Sequence, residues 1–230
     1  MSLPTPEFDA FAQSYDADLQ RGLDLTGESK DYFAHGRLAF TRSLLLGEEI
    51  KSIFDFGCGT GDTSPAFRET FSQAEISGSD PSEESLALAR QNHGQIANFV
   101  AMNDLETIAP CDLAYCNGVF HHILPAERDA AVKQVFDRLR PGGHFALWEN
   151  NPWNPMTRII MSRVAFDRDA IMLWPRETRA RLTRAGFEIV ATRFLFIFPS
   201  VLKALRPIEP WVSALPLGGQ YVVLARRPNV

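Results

Sequence analysis

Residues 53–62, Ile53-Phe54-Asp55-Phe56-Gly57-Cys58-Gly59-Thr60-Gly61-Asp62, join a carboxylate to glycine at every second position. Glycine lets the backbone turn sharply and come close to a ligand, because no Cβ intervenes. A helix expected to follow turns the loop's free amides and its own N-terminus toward whatever is bound. A second carboxylate, Asp80, ends the next expected strand. It lies about 20 residues on, where nucleotide-binding α/β folds hold ribose hydroxyls. The dinucleotide fingerprint is G-x-G-x-x-G, whereas this loop reads G-x-G-x-G after Asp55. A carboxylate there repels a pyrophosphate and suits a ligand carrying an ammonium group. A plain structural turn would explain the glycines, but not the acidic residues on either side.

These groups need a sheet to hold them. Strands are expected near 52–56, 75–79, 97–101, 113–117, 144–149, 188–196 and 221–226, and helices near 32–46, 62–70, 83–91, 126–139 and 176–185. Such alternation favours an α/β fold, a doubly wound and mostly parallel sheet with helices on both faces. Ser82 before Glu83 and Glu84 reads as an N-cap followed by acidic residues that favour the helix dipole. Arg140-Pro141-Gly142-Gly143 reads as a helix stop that turns the chain into a strand. Residues 1–50 precede the first strand as an expected N-terminal helical cap to a domain over 51–230. Insertions near 150–172 and 199–217 interrupt the alternation. Ligands of open α/β sheets sit at the carboxyl ends of the strands, so the first insertion is expected to face an acceptor.

The chain has 230 residues, enough for a full central sheet, and a formal charge of -5, which argues against a sequence-independent grip on nucleic acid. Cys58, Cys111 and Cys116 are an odd, scattered set without zinc or disulfide spacing, as expected of reduced thiols. The start of the chain has no signal-peptide pattern. The longest apolar run, Phe194-Leu195-Phe196-Ile197-Phe198, stops at Pro199, too short to span a membrane. A cytoplasmic protein, monomer or homodimer, without nucleic-acid partner or membrane insertion is the expectation.

In motif order the chain resembles the class I S-adenosylmethionine (SAM) dependent methyltransferases of small molecules, of the methyltransferase 11/12 type. Asp55 to Gly61 matches their first motif, Gly78-Ser79-Asp80-Pro81-Ser82 the second and Met102-Asn103-Asp104-Leu105 the third. The stretch from Asp112 through Asn117-Gly118-Val119-Phe120-His121-His122 matches the fourth, and Leu139-Arg140-Pro141-Gly142-Gly143-His144 the turn before the fifth strand. The resemblance implies a Rossmann-like, seven-stranded sheet with the last strand antiparallel. It implies SAM as cofactor and S-adenosylhomocysteine as product. It places Asp55, Gly57, Cys58, Gly59, Thr60 and Gly61 around the cofactor, with Asp80 and Pro81 at the ribose. Asn103, Asp104 and Leu105 would meet the adenine, Asp104 at its amino group; Asp104 as a surface loop carboxylate is the other reading. Asn117, Gly118, Val119 and His122 would line the cofactor from the fourth strand. Tyr15, within Phe8 to Asp16, would lie over it. Arg37 would either pair with the methionine carboxylate, which its forked guanidinium suits, or face solvent.

His122 is the first candidate for a general base and Glu149 the second; packing beside the cofactor is the alternative for His122. Adjacent histidines on a strand or loop point in opposite directions, and no other ligand spacing is visible, so no metal is expected. Trp148-Glu149-Asn150-Asn151-Pro152-Trp153-Asn154-Pro155 leaves the fifth strand. It reads as a rigid turn starting a helix, and as aiming Glu149, Asn150 and Trp153 at an acceptor. Base-methylating enzymes carry an Asn/Asp-Pro-Pro-aromatic motif after the fourth strand, which is absent here. The expected function is methyl transfer to a hydroxyl or amine of a small molecule, with sugar- or lipid-linked acceptors implied by the subfamily that the C-terminal half resembles. A nicotinamide-dependent oxidoreductase and a non-catalytic SAM-binding protein are the alternatives.

Overall fold

The computed structural model describes residues 20–229 except 21, 46, 165, 166, 168 and 169; Tyr15 and the N-terminal segment around it lie outside the described residues. The described chain opens with a 3-10 turn, Asp24–Thr26, and helix α1 (Lys30–Leu44). Then follow β1 (Ser52–Phe56), α2 (Ser64–Thr70), β2 (Glu75–Asp80), α3 (Glu83–His93), β3 (Asn98–Ala101) and β4 (Cys111–Asn117). The second half holds α4 (Arg128–Arg138), β5 (Leu139–Asn150), α5 (Pro155–Arg163), α6 (Pro175–Arg184), β6 (Glu188–Leu195), α7 (Glu209–Val212) and β7 (Gln220–Arg226).

The seven strands order as β3-β2-β1-β4-β5-β7-β6. β7 runs antiparallel to β5 and β6, and the remaining pairs are parallel. Side chains alternate across a strand, and the alternation separates two cores. Ile53, Leu113, Tyr115, Trp148 and Val222 face one side with Ala34 and Leu38 of α1, Phe67 of α2 and Leu86 of α3. Phe54, Ala114, Cys116, Phe145 and Val223 face the other with Val132 and Val135 of α4 and Leu182 of α6. Central strands buried on both faces read as near-continuous apolar runs, as Cys111–Asn117 does with every residue but the last buried.

Local chemistry sets the element ends. Ser29, Ser82 and Asn154 each accept from a backbone N–H three residues on, at 3.3, 3.1 and 3.1 Å, so three helices start on capped amides. β5 begins five residues earlier than the sequence suggests. Leu139 pairs with Cys111 and the register then shifts, so residues 140–143 bulge inside the strand rather than precede it. Gly142 and Gly143 exchange backbone bonds with Arg227 at 2.9 and 2.8 Å, which holds the bulge. Among the described residues no helix is long and apolar enough to cross a membrane.

Strand order reverses between β1 and β4, and the crevice outside their carboxyl ends is where such sheets bind ligands. The glycine loop and the segment Asn117–His122 both leave from that point.

Candidate active site

The loop after β1 is built by the main chain. Gly57 N and Cys58 N donate to Ser79 O at 2.8 and 3.0 Å. Gly59 N donates to Asp80 Oδ2, and Ser82 N to Asp80 Oδ1, both at 2.9 Å. Asp80 therefore clamps the loop to β2; a carboxylate still has acceptor capacity for hydroxyls. Gly57 has φ +77°, and a Cβ there would stand 2.4 Å from Val119 Cγ2. Gly59 has φ +53°, yet its Cβ would meet nothing within 4 Å, so it borders open space. Cys58 is no nucleophile: burial pushes its thiol well above the ordinary range.

A cleft of about 120 Å³ lies beside this loop, lined by Lys30, Arg37, Asp55, Gly57, Cys58, Gly59, Thr60, Tyr115 and Asn117 among others. Burial, then the neighbouring Asp80 charge, push the Asp55 carboxyl up to about 7, with Arg37 opposing them. The buried Arg37 donates from Nε to Tyr115 Oη at 3.0 Å and from Nη1 to Gln220 Oε1 at 3.1 Å. Asn117 Oδ1 is buried without a hydrogen-bond partner. A buried acceptor left unpaired costs free energy, and it calls for a donor from a ligand. A buried carboxylate, an orphaned carbonyl oxygen and a guanidinium together fit the ammonium and carboxylate of an amino-acid group. The residues fit the methionine end of SAM.

Asp80, Pro81, Asn103, Asp104 and Leu105 lie outside this cleft, along the carboxyl ends of β2 and β3. Asn103 and Asp104 are exposed on the 3-10 turn Met102–Thr107, while Leu105 is buried in the second core. Gly118 turns the chain at φ +68°, and Val119 packs under Gly57.

A second cavity, about 790 Å³, opens from the same point and shares Lys30, Arg37 and Asn117 with the cleft. Its walls are mainly apolar, with Phe33, Ile160, Met161, Val164, Phe196 and Ile197. Both insertions contribute to it, through α5 and through the segment from Phe196 to Arg206. Phe196 sits in the left-handed region at φ +65°. Glu209 holds it there, accepting from the amides of Phe196, Ile197 and Phe198 at 3.1, 3.1 and 2.9 Å. Arg206 pairs with Glu28 at 2.7 Å and lies 4.5 Å over the Tyr32 ring.

One corner of the cavity is polar. His121 Nδ1 meets Glu149 Oε2 at 2.6 Å, and Glu149 Oε1 accepts from Phe120 N at 2.8 Å. His121 Nε2 and His122 Nε2 both face Asp167 Oδ1, at 3.4 and 3.2 Å. Burial alone would lower the His121 pKa, but the Glu149 and Asp167 carboxylates outweigh it and carry it to about 10. Burial lowers His122 instead, ahead of its bond to Asp167. Asp167 stays below the usual carboxylate range despite burial, because both imidazoles bond to it.

Three expectations need correction. The two histidines do not diverge. They sit in a turn, with His122 N donating to Val119 O at 3.0 Å, and their rings are 4.1 Å apart. Glu149 does not reach an acceptor: it is fully buried, with both oxygens committed to His121 and Phe120. Trp153 does not line the cavity; it is 46% exposed and packs on Trp174 and Phe194. Asn150 does line it, accepting from Gln220 Nε2 at 3.2 Å. The asparagines beside these residues act as braces. Asn151 Nδ2 donates to Pro216 O and Gly218 O, and Asn154 Nδ2 to Leu217 O, tying the two insertions together.

Sequence reasoning missed Tyr115, Gln220 and Asp167 as partners of site residues. Gln220 carried a faint signal, as the first residue after Gly218-Gly219 and the register partner of Asn150. Asp167 lies 46 residues from His121, a separation that no local pattern reports.

The family model described as "Methyltransferase domain" matches residues 54–145, from β1 into β5. The ribosomal RNA small subunit methyltransferase C of Ectopseudomonas mendocina is 32% identical over 160 residues, covering 64% of this chain and 48% of that protein. The trans-aconitate 2-methyltransferase of Variovorax paradoxus is 31% identical over 121 residues, covering 51% of this chain and 45% of its own length. The chain thus spans about half the length of these curated relatives. A SAM-dependent methyltransferase from Archaeoglobus fulgidus shares the fold at a TM-score of 0.66 and 15% identity, covering 96% of this chain and 100% of that one. Its likeness reaches β6 and β7, which the family model leaves out. Residues 54–145 match a methyltransferase domain, and the chain around them shares the fold of the SAM-dependent methyltransferase from Archaeoglobus fulgidus.

Proposed function

We propose that the protein transfers a methyl group from SAM to a hydroxyl or amine of a small molecule with an apolar body, leaving S-adenosylhomocysteine. One observation carries this reading: the amino-acid cleft opens into the apolar cavity through Arg37 and Asn117, which line both. When bound, SAM supplies an electrophilic methyl whose leaving group is a neutral thioether. Arg37 would hold its carboxylate, Asp55 and Asn117 Oδ1 its ammonium, Asp80 its ribose and Asp104 its adenine amino group. The insertions over 150–172 and 199–217 serve as the acceptor-facing part of the domain over 51–230. Their apolar walls exclude water and fix the acceptor. Positioning of this kind reaches effective molarities on the order of 10⁵ M and above.

The corner of His121, His122 and Asp167 is where the acceptor's reacting group would rest. His122, oriented by Asp167 and part of the cavity wall, is placed to take a hydroxyl's proton, a contribution of roughly 10²–10⁴-fold. The trans-aconitate enzymes among the relatives are in keeping with a small-molecule acceptor. A formal charge of -5 weighs against the nucleic acid that the ribosomal RNA relative names.

The test is calorimetry with SAM, followed by transfer of labelled methyl into fractionated small metabolites, with the product identified by mass. One SAM per chain and a methylated product are expected. Asp80→Ala should weaken SAM by about 10- to 100-fold, the worth of charged hydrogen bonds of roughly 1.5–3 kcal/mol. SAM binding without turnover of any acceptor would leave a non-catalytic binding protein. Binding of a nicotinamide dinucleotide in place of SAM would sink the reading altogether.

A further inference from the structure

We propose that His121, His122 and Asp167 form a site for a divalent transition-metal cation on the wall of the large cavity. One donor atom from each lies within 4.8 Å of the others, and all three residues line that cavity. The two imidazole nitrogens stand 3.4 and 3.2 Å from the same carboxylate oxygen. Bonds of about 2.1 Å to a shared cation separate neighbouring donors by about 3.0 Å at a right angle and about 3.4 Å at the tetrahedral angle. Each imidazole nitrogen is therefore already at ligand spacing from the carboxylate oxygen.

A second observation points the same way. Glu149, fully buried, accepts from His121 Nδ1 at 2.6 Å, and its other oxygen is fixed by Phe120 N. This is the carboxylate–histidine arrangement that orients a metal ligand: with one proton held on Nδ1, Nε2 would present its lone pair once a cation displaces the proton it shares with Asp167. Charge agrees as well. Glu149 and Asp167 are two carboxylates in a largely dry corner, and a divalent cation would take over the charge balance that His121 now supplies. Two imidazoles and one carboxylate suit zinc, manganese or iron better than magnesium. Three protein ligands leave open positions, which face the cavity.

What the cation would do rests on the methyl-transfer reading. An acceptor hydroxyl bound at an open position would lose its proton to solvent. Its oxygen lone pair would then form the new bond to the methyl carbon, while the carbon–sulfur bond breaks and its electrons stay on sulfur. Such a site selects an oxygen acceptor over an amine, which narrows the substrate class. His122 would then act as a ligand and not as a base.

The experiment is calorimetry of Mn²⁺ and Zn²⁺ into tag-free, chelator-stripped protein without SAM, with the Mn²⁺ resonance signal as a second reading. One cation per chain is expected, with Kd on the order of 10 µM or tighter. His122→Ala and Asp167→Asn should each weaken it by about 10-fold or more, in protein that still folds cooperatively. His35→Gln, at a surface histidine bonded to Glu69, should not. Absence of stoichiometric binding, or binding that both cavity variants leave intact, overturns the proposal. Should a variant fail to fold, a Mn²⁺ signal from the parent protein without nitrogen ligation overturns it equally. Cation binding in a protein that binds no SAM would sink methyl transfer and leave the metal site standing.

Discussion

The small cleft beside the glycine loop and the large apolar cavity meet at Arg37 and Asn117 but are made by different means. The cleft is centred on one continuous loop, whose backbone amides are held at Ser79 and Asp80. The cavity is assembled from side chains far apart in sequence. Its long-range bonds join Arg37 to Gln220 across 183 residues, Glu28 to Arg206 across 178 and His121 to Asp167 across 46. A loop fixed by backbone geometry tolerates little change, and the ligand it fits is set by conformation. A chamber lined by separate side chains can be re-lined one residue at a time. Cofactor identity is therefore legible in this chain, and acceptor identity is not.

The sharpest way to break that contrast is at two glycines of one loop. Gly57→Ala places a Cβ 2.4 Å from Val119 at a positive φ, so it should cost stability by roughly 1–3 kcal/mol and SAM affinity by about 100-fold or more. Gly59→Ala meets no protein atom within 4 Å, so its stability loss should be only about 1 kcal/mol, the left-handed conformation alone. If SAM passes over Gly59, affinity should fall far more than the melting temperature does. Equal and small losses in both would show that the ligand lies elsewhere.

The next effect is set by pH. Asp55 is held near 7 chiefly by burial, above the usual 3.8. Its neutral form therefore favours the fold, a contribution fully present below pH 4 and lost as pH rises through 7. That amounts to a few kcal/mol across the window. A cationic ligand group wants the ionised form, so SAM affinity should rise about 10-fold from pH 6 to 8, then level off. Asp55→Asn should flatten that profile, weaken SAM and raise the melting temperature of the unliganded protein at pH 8. A profile that stays steep in the variant would move the ammonium site off Asp55.

The smallest expected change lies on the cavity side. Arg206→Ala removes an ion pair that is about one-fifth exposed at each end, worth roughly 0.2–1 kcal/mol. SAM affinity should stay within about twofold, while KM for the acceptor, once known, shifts. A large loss of SAM affinity would mean that the two compartments are not energetically separate.

The strands and the glycine loop were readable because their signals are local. Period-two burial, Ser82 as a cap and glycine at every second position each act within a few residues. The bulge at 140–143 was hidden because its partner is Arg227, one residue past the end of the last strand. Glu149 was misread because a carboxylate leaving a strand carries no mark of whether it faces a cavity or a buried imidazole. The paired histidines misled for a related reason. Their divergence assumes an extended backbone, and a turn through Gly118 brings both rings to Asp167.

Glu209 has a consequence for how such a scaffold diversifies. Its carboxylate closes the loop from Phe196 to Phe198 back onto α7, so the intervening rim, residues 199–208, is a cassette fastened at both ends. None of its residues takes part in the register of β6 or β7. A library confined to 199–208, with Glu209 kept, should re-line the apolar cavity while the sheet stays paired.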